Sequence, residues 1–114
     1  MTTTAIKQLV DDWIAAGNKY DTELYLQKYQ PDAVLDDPSV GEKFTGHAGI
    51  RDYFTRYFIG YQTQTRLVKL TIQNNKAHLE VEFKGKFPEG TICGLFDMTF
   101  ADQKIAAVKA NLIT

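Results

Sequence analysis

The chain has 114 residues, of which 44% are apolar and 24% are charged, and its formal net charge is −1. This length predicts a single domain, residues 1–114, built around one hydrophobic core. The 13 basic and 14 acidic residues form no long block of one sign, so the charge pattern indicates neither a nucleic acid nor a membrane surface as partner. The one cysteine, Cys93, excludes an internal disulfide, and its apolar neighbours predict a buried structural thiol.

Location and cofactors can also be addressed from the sequence. No apolar run reaches the roughly 20 residues of a transmembrane helix, and the N-terminus lacks the basic and apolar regions of a signal peptide. We therefore expect a soluble, cytoplasmic protein. His47 and His78 each lack the second ligand that a metal site needs, and the glycines form no phosphate-binding loop, so we expect no metal and no other cofactor.

The first half of the chain has the period of amphipathic helices. A first helix, ending near Gly17, is predicted by apolar residues at helical spacing: Ile6, Leu9, Val10, Trp13 and Ile14. Asp21 is a good N-cap for a second helix that Pro31 would end, with an apolar side formed by Leu24, Tyr25 and Tyr29. Residues 33–37 read as a short strand, and a third helix is predicted from about His47 to Ile59.

Beyond the third helix the hydrophobic period changes from 3.6 to 2, which indicates strands. Turn sequences at Asn74-Asn75, Pro88-Glu89-Gly90 and Asp102-Gln103 divide this half into four strands: around Val68 to Ile72, Lys76 to Phe87, Thr91 to Phe100 and Lys104 to Ile113. Three helices followed by a meander predict an α+β fold, with the helices packed on one face of a curved antiparallel sheet.

The strand Thr91 to Phe100 reads as apolar on both faces. Its first face would hold Ile92, Phe96, Met98 and Phe100, and its second face Cys93, Leu95 and Asp97. Helices can cover only one face, so a homodimer that buries the second is the simplest explanation. The alternative is a sheet that curls enough for its own side chains to cover both faces.

Two acidic positions are candidates for chemistry. Asp97 lies within an apolar strand, where it either faces a pocket or is satisfied by backbone groups or a lysine. Asp36 and Asp37 end the earlier strand, and alternation points one of them inward; the alternative is that they only mark the transition from strand to loop at Pro38. The six tyrosines lie in or beside the helical half, where they either pack or line a cavity.

These features resemble the NTF2-like superfamily, and within it the ketosteroid isomerase and SnoaL-like group. The resemblance spans nearly the whole chain, and its most specific stretch is Ala33-Val34-Leu35-Asp36-Asp37-Pro38 with Gly41, Phe44, Gly46 and Ile50-Arg51. It implies a cone-shaped fold, in which three N-terminal helices and a curved antiparallel sheet enclose an apolar pocket, and often a dimer.

The resemblance also implies roles for particular residues. Asp37 stands where the isomerases have the aspartate that acts as general base, and Asp97 matches a protonated aspartate of the oxyanion hole. Trp13 falls at the position of the oxyanion-hole tyrosine. The remaining residues implied to bind substrate are Tyr29, Tyr53, Phe54, Val108, Ala110 and Leu112.

Two departures from the isomerase pattern limit the functional hypothesis. Trp13 and Phe54 replace tyrosines, and loss of one oxyanion-hole donor costs on the order of 3 kcal/mol in such enzymes. We therefore do not expect a steroid isomerase. The hypotheses are an isomerase- or lyase-like enzyme that acts on a small apolar carbonyl compound, a binding protein with the same pocket, and a dimerising structural domain.

Overall fold

Three helices precede the long strands, as the periodicity predicts. A computed structural model, which describes residues 1–113, places α1 at Thr3–Asn18, α2 at Thr22–Leu26 and α3 at Gly46–Phe54. The Thr2 hydroxyl and the Asp21 carboxylate accept hydrogen bonds from backbone N–H groups in the first turns of α1 and α2, and so cap them. None of the helices in this part of the chain is long and apolar enough to cross a membrane.

The second helix is shorter than predicted. Tyr29 does not lie on α2 but begins the first strand, and Pro31 lies within that strand rather than ending a helix. The proline is tolerated because the strand's pairing is irregular between Tyr29 and Val34, where few ladder hydrogen bonds are required of it. Tyr29 is nevertheless fully buried, so the apolar pattern located a core residue while misassigning its element.

The third helix changes its winding before its predicted end. After Phe54 the chain continues as a π-helical turn over Thr55–Ile59, in which the Gly60 N–H donates to the Thr55 carbonyl at 2.9 Å. The wider turn brings the Phe58 ring against both preceding aromatic rings, with centroids 6.0 Å from Tyr53 and 5.3 Å from Phe54. It therefore helps to form the aromatic wall described below.

One six-stranded sheet is formed by residues 1–113, in the order β2-β1-β6-β5-β4-β3. Its strands are β1 Tyr29–Asp37, β2 Glu42–Thr45, β3 Gln64–Gln73, β4 Lys76–Lys84, β5 Thr91–Ala101 and β6 Lys104–Ile113. The predicted four-strand meander is β3 to β6. The sequence prediction missed β2, a strand of only four residues, and gave no sign that β1 pairs with β6 in parallel.

The face of the sheet toward the helices forms the core. On β4 the predicted inward residues Ala77, Leu79, Val81 and Phe83 are all buried. On β3 the predicted alternation fails at Val68, which is 52% exposed because the pairing with β4 shifts register between Leu67 and Lys69.

The outer face of the sheet, the side away from the helices, is open in the single chain. On β5, Phe96, Met98 and Phe100 are buried, but on the opposite side Cys93 and Asp97 are exposed and Leu95 is half-buried. The prediction of a buried Cys93 thiol is therefore wrong, since no helix covers its face. The homodimer inferred from this strand stays a prediction.

Two glycines give opposite expectations for alanine substitution. A Cβ at Gly94 would lie 2.6 Å from Cε2 of the buried Phe83 ring, so Gly94→Ala should force that ring to shift and destabilise the fold by about 1–3 kcal/mol. A Cβ at Gly17, on α1, would meet only ordinary contacts at 3.8 Å, so Gly17→Ala should stabilise it by about 0.4–1 kcal/mol. Urea denaturation of both variants measures the change in the free energy of unfolding, which should be a decrease for Gly94→Ala and an increase for Gly17→Ala. A Gly94→Ala protein as stable as the parent would contradict the steric argument.

Candidate functional site

Asp37 is placed in the interior by the last residues of β1. Inward and outward residues alternate along this strand, so Leu35 and Asp37 are buried while Val34 and Asp36 are only partly covered. Asp37 is 5% exposed and is the only carboxylate among the buried side chains of residues 1–113. A buried carboxylate needs hydrogen-bond partners, and its surroundings supply them.

Three donors reach the Asp37 carboxylate. Its Oδ1 accepts a hydrogen bond from the Ser39 N–H at 3.0 Å and another from the Ser39 hydroxyl. Its Oδ2 accepts one from the Tyr53 hydroxyl at 3.2 Å. A carboxylate offers about four lone-pair sites, two on each oxygen, so these contacts leave one site on Oδ2.

Tyr53 is held neutral beside this carboxylate. Burial raises the pKa of Tyr53 well above its ordinary value, and the negative charge of Asp37 raises it further. Tyr53 therefore keeps its proton at neutral pH and uses it to donate a hydrogen bond to Asp37. The pair positions the carboxylate while leaving the remaining lone pair of Oδ2 for another group.

An aromatic cavity of about 260 Å³ opens beside Asp37. The aromatic rings that line it come from α3, the π-helical turn, β4 and the loops after the turn and after β4: Tyr53, Tyr57, Phe58, Tyr61, Phe83 and Phe87. The Tyr61 and Phe87 rings stack with centroids 5.2 Å apart at the exposed side. The other described lining residues are Ser39, Val40, Thr63, Pro88, Glu89, Ile92 and Leu112.

Tyr57 lines this cavity, and its hydroxyl lies beside the exposed Arg56. Its hydroxyl oxygen accepts a hydrogen bond from Arg56 Nη2 at 3.1 Å, so its own O–H remains free to donate. Arg56 is held in place by Glu42 and Asp52, and hydrogen bonds to those carboxylates raise its pKa above the usual range. A charged guanidinium that donates to the phenol oxygen polarises the O–H and strengthens it as a donor.

A second polar cluster lies deeper, under the helices. The Trp13 Nε1–H donates to the Tyr29 hydroxyl at 2.9 Å, and the Tyr25 and Tyr29 hydroxyls share a hydrogen bond of 2.9 Å. Burial raises the pKa of Tyr29 to about 12 and that of Tyr25 well above its ordinary value. This cluster is neutral and buried, and none of its three residues is among those described as lining the cavity.

The structure separates Asp97 from Asp37. Asp97 lies on the outer face of the sheet with its side chain 62% exposed, and its Oδ1 is 2.6 Å from Nδ1 of His78 on β4. The expectation that both acids face one pocket is therefore wrong. Alternation along β5 gives the inward positions to Phe96 and Met98, so the residue one step away on the strand faces the other side.

The other residues implied by the resemblance also divide between cavity and core. Tyr53 and Leu112 line the cavity with Asp37. Trp13 and Phe54 fill the core instead, the indole packing edge-on against Phe96 at 5.2 Å and Phe54 stacking on Tyr25 at 4.1 Å. The remaining three, Tyr29, Val108 and Ala110, are buried and do not line this cavity in the described structure.

Several cavity residues were not identified from the sequence as a site. Tyr57 was considered only among the six tyrosines that either pack or line a cavity, Phe58 only as part of the third predicted helix, and Phe87 only as the end of a strand. The clustering of tyrosines in the helical half was the one feature of the sequence that pointed to an aromatic cavity. The π-helical turn that carries Tyr57 and Phe58 has no sequence marker. Ser39 follows Asp37 by two residues, a spacing at which a side chain commonly satisfies a carboxylate near a turn.

The matching family model decides the family. A SnoaL-like domain model matches residues 10–108, most of the chain. The chain belongs to the SnoaL-like family. No curated protein matches this SnoaL-like chain by sequence.

Solved structures of NTF2-like proteins share the fold. A candidate polyketide cyclase from Sinorhizobium meliloti is 21% identical with a TM-score of 0.83, the alignment covering 90% of this chain and 93% of that one. A candidate ketosteroid isomerase from Kribbella flavida is 16% identical with a TM-score of 0.86, covering 98% and 80%. A protein with a ketosteroid isomerase-like fold from Catenulispora acidiphila, in complex with trimethylamine, is 14% identical with a TM-score of 0.80, the alignment covering 90% of this chain and 82% of that one. At these identities the likeness shows the SnoaL-like chain's fold alone.

Proposed function

We propose that this SnoaL-like protein binds a small carbonyl compound in the aromatic cavity and that Asp37 acts as a general base on it. One observation carries the proposal. A buried carboxylate with one uncommitted lone pair, on Oδ2, lies on the wall of an apolar cavity. Such a group can take a proton from a carbon atom that the cavity holds close to it.

The proposed reaction is a proton shift next to the carbonyl. Asp37 removes a proton from the carbon beside the carbonyl, and the electron pair of the broken C–H bond forms a C=C bond while the carbonyl oxygen becomes an oxyanion. The Tyr57 O–H, polarised by Arg56, donates a hydrogen bond to that oxygen. The ketone must carry a C=C bond one carbon further along, as 3-cyclohexen-1-one does, so that the enolate is conjugated with it. Asp37 then returns the proton to the far carbon of that C=C bond, the double bond moves into conjugation with the re-formed carbonyl, and no co-reactant is required.

The cavity limits the substrate to a small compound. A cavity on the order of 150 Å³ already accommodates benzene, so about 260 Å³ accommodates one or two rings. Trp13, Phe54 and Phe96 fill the deeper part of the fold, so a longer ligand has no room to extend inward. The proposed substrate is therefore a cyclic ketone of one or two rings and not a four-ring steroid.

Exchange of carbon-bound hydrogen tests this proposal directly. The protein is incubated with 3-cyclohexen-1-one in D₂O, and NMR follows both deuterium uptake beside the carbonyl and migration of the double bond. Rates above those of buffer and of heat-denatured protein are expected. A protein that binds the ketone, as seen by tyrosine fluorescence or amide shifts at the cavity, and produces no exchange above buffer would overturn the catalytic proposal.

A second candidate function is binding of a small organic cation without turnover. The residues described as lining the cavity include two acids, Asp37 and Glu89, and none of them is basic. Aromatic ring faces with nearby carboxylates attract alkylammonium groups by cation–π and charge interactions. The trimethylamine held by the Catenulispora acidiphila protein is such an amine when protonated.

Matched probes separate the two candidates. Trimethylphenylammonium and its neutral isostere tert-butylbenzene have nearly the same shape and differ in charge. Isothermal titration should show tighter binding of the cation if the acids and rings form an ammonium site. Equal affinities would remove the cation proposal and leave an apolar cavity, as the first proposal requires.

A further inference from the structure

Gly94 leaves a gap on the inner face of β5. Alternation places Ile92, Gly94 and Phe96 on this face, and Gly94 is buried although it contributes only a hydrogen atom there. Its neighbour Ile92 and its pairing partner on β6, Leu112, both line the aromatic cavity. The gap therefore lies where the sheet meets the cavity.

The ring of Phe83 fills this gap. A Cβ at Gly94 would lie 2.6 Å from Cε2 and 3.3 Å from Cζ of Phe83, inside the separation of about 3.5–4.0 Å at which carbon atoms pack best. The far edge of the ring thus rests directly on the glycine. Phe83 is 6% exposed and lines the cavity, so a side chain at Gly94 would have to displace a buried ring that faces the cavity.

Phe83 also separates the cavity from the aromatic core. On one side its ring meets Phe58, which lines the cavity, edge-on with centroids 6.0 Å apart. On the other side it meets Phe96 edge-on at 5.9 Å, and Phe96 packs in turn against Trp13 at 5.2 Å. Neither Phe96 nor Trp13 is among the residues described as lining the cavity. Phe83 is therefore the inner wall of the cavity.

We propose that Phe83 sets the largest ligand that the cavity accepts, and that Gly94 acts through Phe83 by letting its ring lie close to the sheet. The ring is bounded by Gly94, Phe58 and Phe96, so a ring displaced from Gly94 moves toward the cavity, where space remains. A smaller side chain at Phe83 would instead extend the cavity toward Phe96. This inference rests on the proposal that the aromatic cavity is the ligand site, but not on the chemistry proposed at Asp37.

Two probes of different size test the wall. Phenol has one ring and 2-naphthol has two, and each carries a hydroxyl that can donate to the uncommitted lone pair of Asp37. Isothermal titration gives both affinities, and amide shifts at cavity residues locate the binding. Gly94→Ala should lower the affinity for 2-naphthol relative to phenol by about tenfold, the effect of roughly one carbon atom in a filled apolar pocket. Phe83→Leu should raise the same ratio by about tenfold, because leucine is smaller than phenylalanine.

A double variant and a matched control separate ligand size from stability. In Gly94→Ala/Phe83→Leu the smaller leucine leaves room for the new Cβ, so the affinity ratio should return to within about threefold of the parent value. Phe100→Leu is the control. Phe100 is buried on the same strand, six residues beyond Gly94, and is not among the residues described as lining the cavity. It loses the same atoms from the core and should leave the ratio within about twofold of the parent value, while circular dichroism checks the fold of every variant.

The outcomes divide as follows between this inference and the catalytic one. An affinity ratio unchanged in Phe83→Leu overturns the inference even if Gly94→Ala does not fold, and so does a Phe100→Leu variant that changes the ratio as much as Phe83→Leu does. A parent protein that binds neither probe also overturns it. Opposite changes in the two variants, without hydrogen exchange in 3-cyclohexen-1-one, would support the wall and count against the catalytic proposal alone. Exchange with an unchanged ratio would count against the wall alone.

Discussion

Asp37→Asn is expected to slow the exchange of hydrogen beside the carbonyl of 3-cyclohexen-1-one by about 10²- to 10⁴-fold, the usual contribution of a general base. Asparagine has nearly the same shape as aspartate, and its carbonyl oxygen can still accept hydrogen bonds from Ser39. Its amide nitrogen, however, has no lone pair with which to take a proton at the position of Oδ2. The rate is measured by NMR in D₂O, as for the parent protein.

Two comparisons separate loss of the base from loss of the fold. Asp32→Asn, an exposed acid on the same strand, removes the same charge and should leave the rate within a factor of about two, as expected of a surface change away from the cavity. Ligand-induced amide shifts in Asp37→Asn should show that the ketone still enters. A folded Asp37→Asn protein that retains more than a tenth of the parent rate would remove Asp37 from the reaction.

Alkaline pH is expected to destabilise the protein steeply. The pKa values of Tyr25, Tyr29 and Tyr53 are raised in the folded state, chiefly by burial, and that of Tyr29 reaches about 12. In the unfolded chain these phenols titrate near 10, so above pH 10 the unfolded state binds fewer protons than the folded one. The free energy of unfolding should then fall by about 1.4 kcal/mol per pH unit for each tyrosine, or about 4 for the three together.

Urea denaturation between pH 8 and pH 11.5 measures this slope. The stability that depends on protonated buried phenols is fully present below pH 10. The share that depends on Tyr29 is lost as the pH rises toward 12. Tyr53→Phe should reduce the slope by about one tyrosine's share, because one buried phenol no longer titrates. Tyrosinate absorbance at 295 nm supplies an independent check, and ionisation of all six tyrosines together near pH 10 in the folded protein would contradict it.

The period of the sequence predicted the fold class well because the long elements are amphipathic. The alternation on β4 assigned its buried face correctly, and the hairpin turns at Asn74-Asn75 and Asp102-Gln103 divided the strands where the structure does. The errors came from short or irregular elements. β2 and the end of α2 are too short to show a period, and a register shift at Val68 reverses a pattern that looked regular.

The candidate site was predicted only in part. Local alternation showed that one of Asp36 and Asp37 points inward, and Pro38 together with the resemblance to ketosteroid isomerases selected Asp37 and gave it a role. Asp97 was misplaced because its role came from aligning β5 with the corresponding strand of the isomerases. An offset of a single residue in such an alignment moves a side chain to the opposite face of the sheet. The donor proposed for the oxyanion, Tyr57, depends on a π-helical turn and on an arginine held by two acids, and neither is visible in the pattern of residues.

The sequence by itself determined which of the longer segments are helix or strand, which faces of the helices and of β4 are apolar, and that one of the two acids before Pro38 is an internal one. These properties depend on residues close together along the chain, where periodicity and turn chemistry act. Only the tertiary structure decided which groups meet: Asp37 with Tyr53 and the aromatic cavity, Trp13 with Tyr29 in the core, and Asp97 with His78 on the outer face. Those contacts join residues 16 or more positions apart, and they depend on strand register and on the packing of helices against a curved sheet.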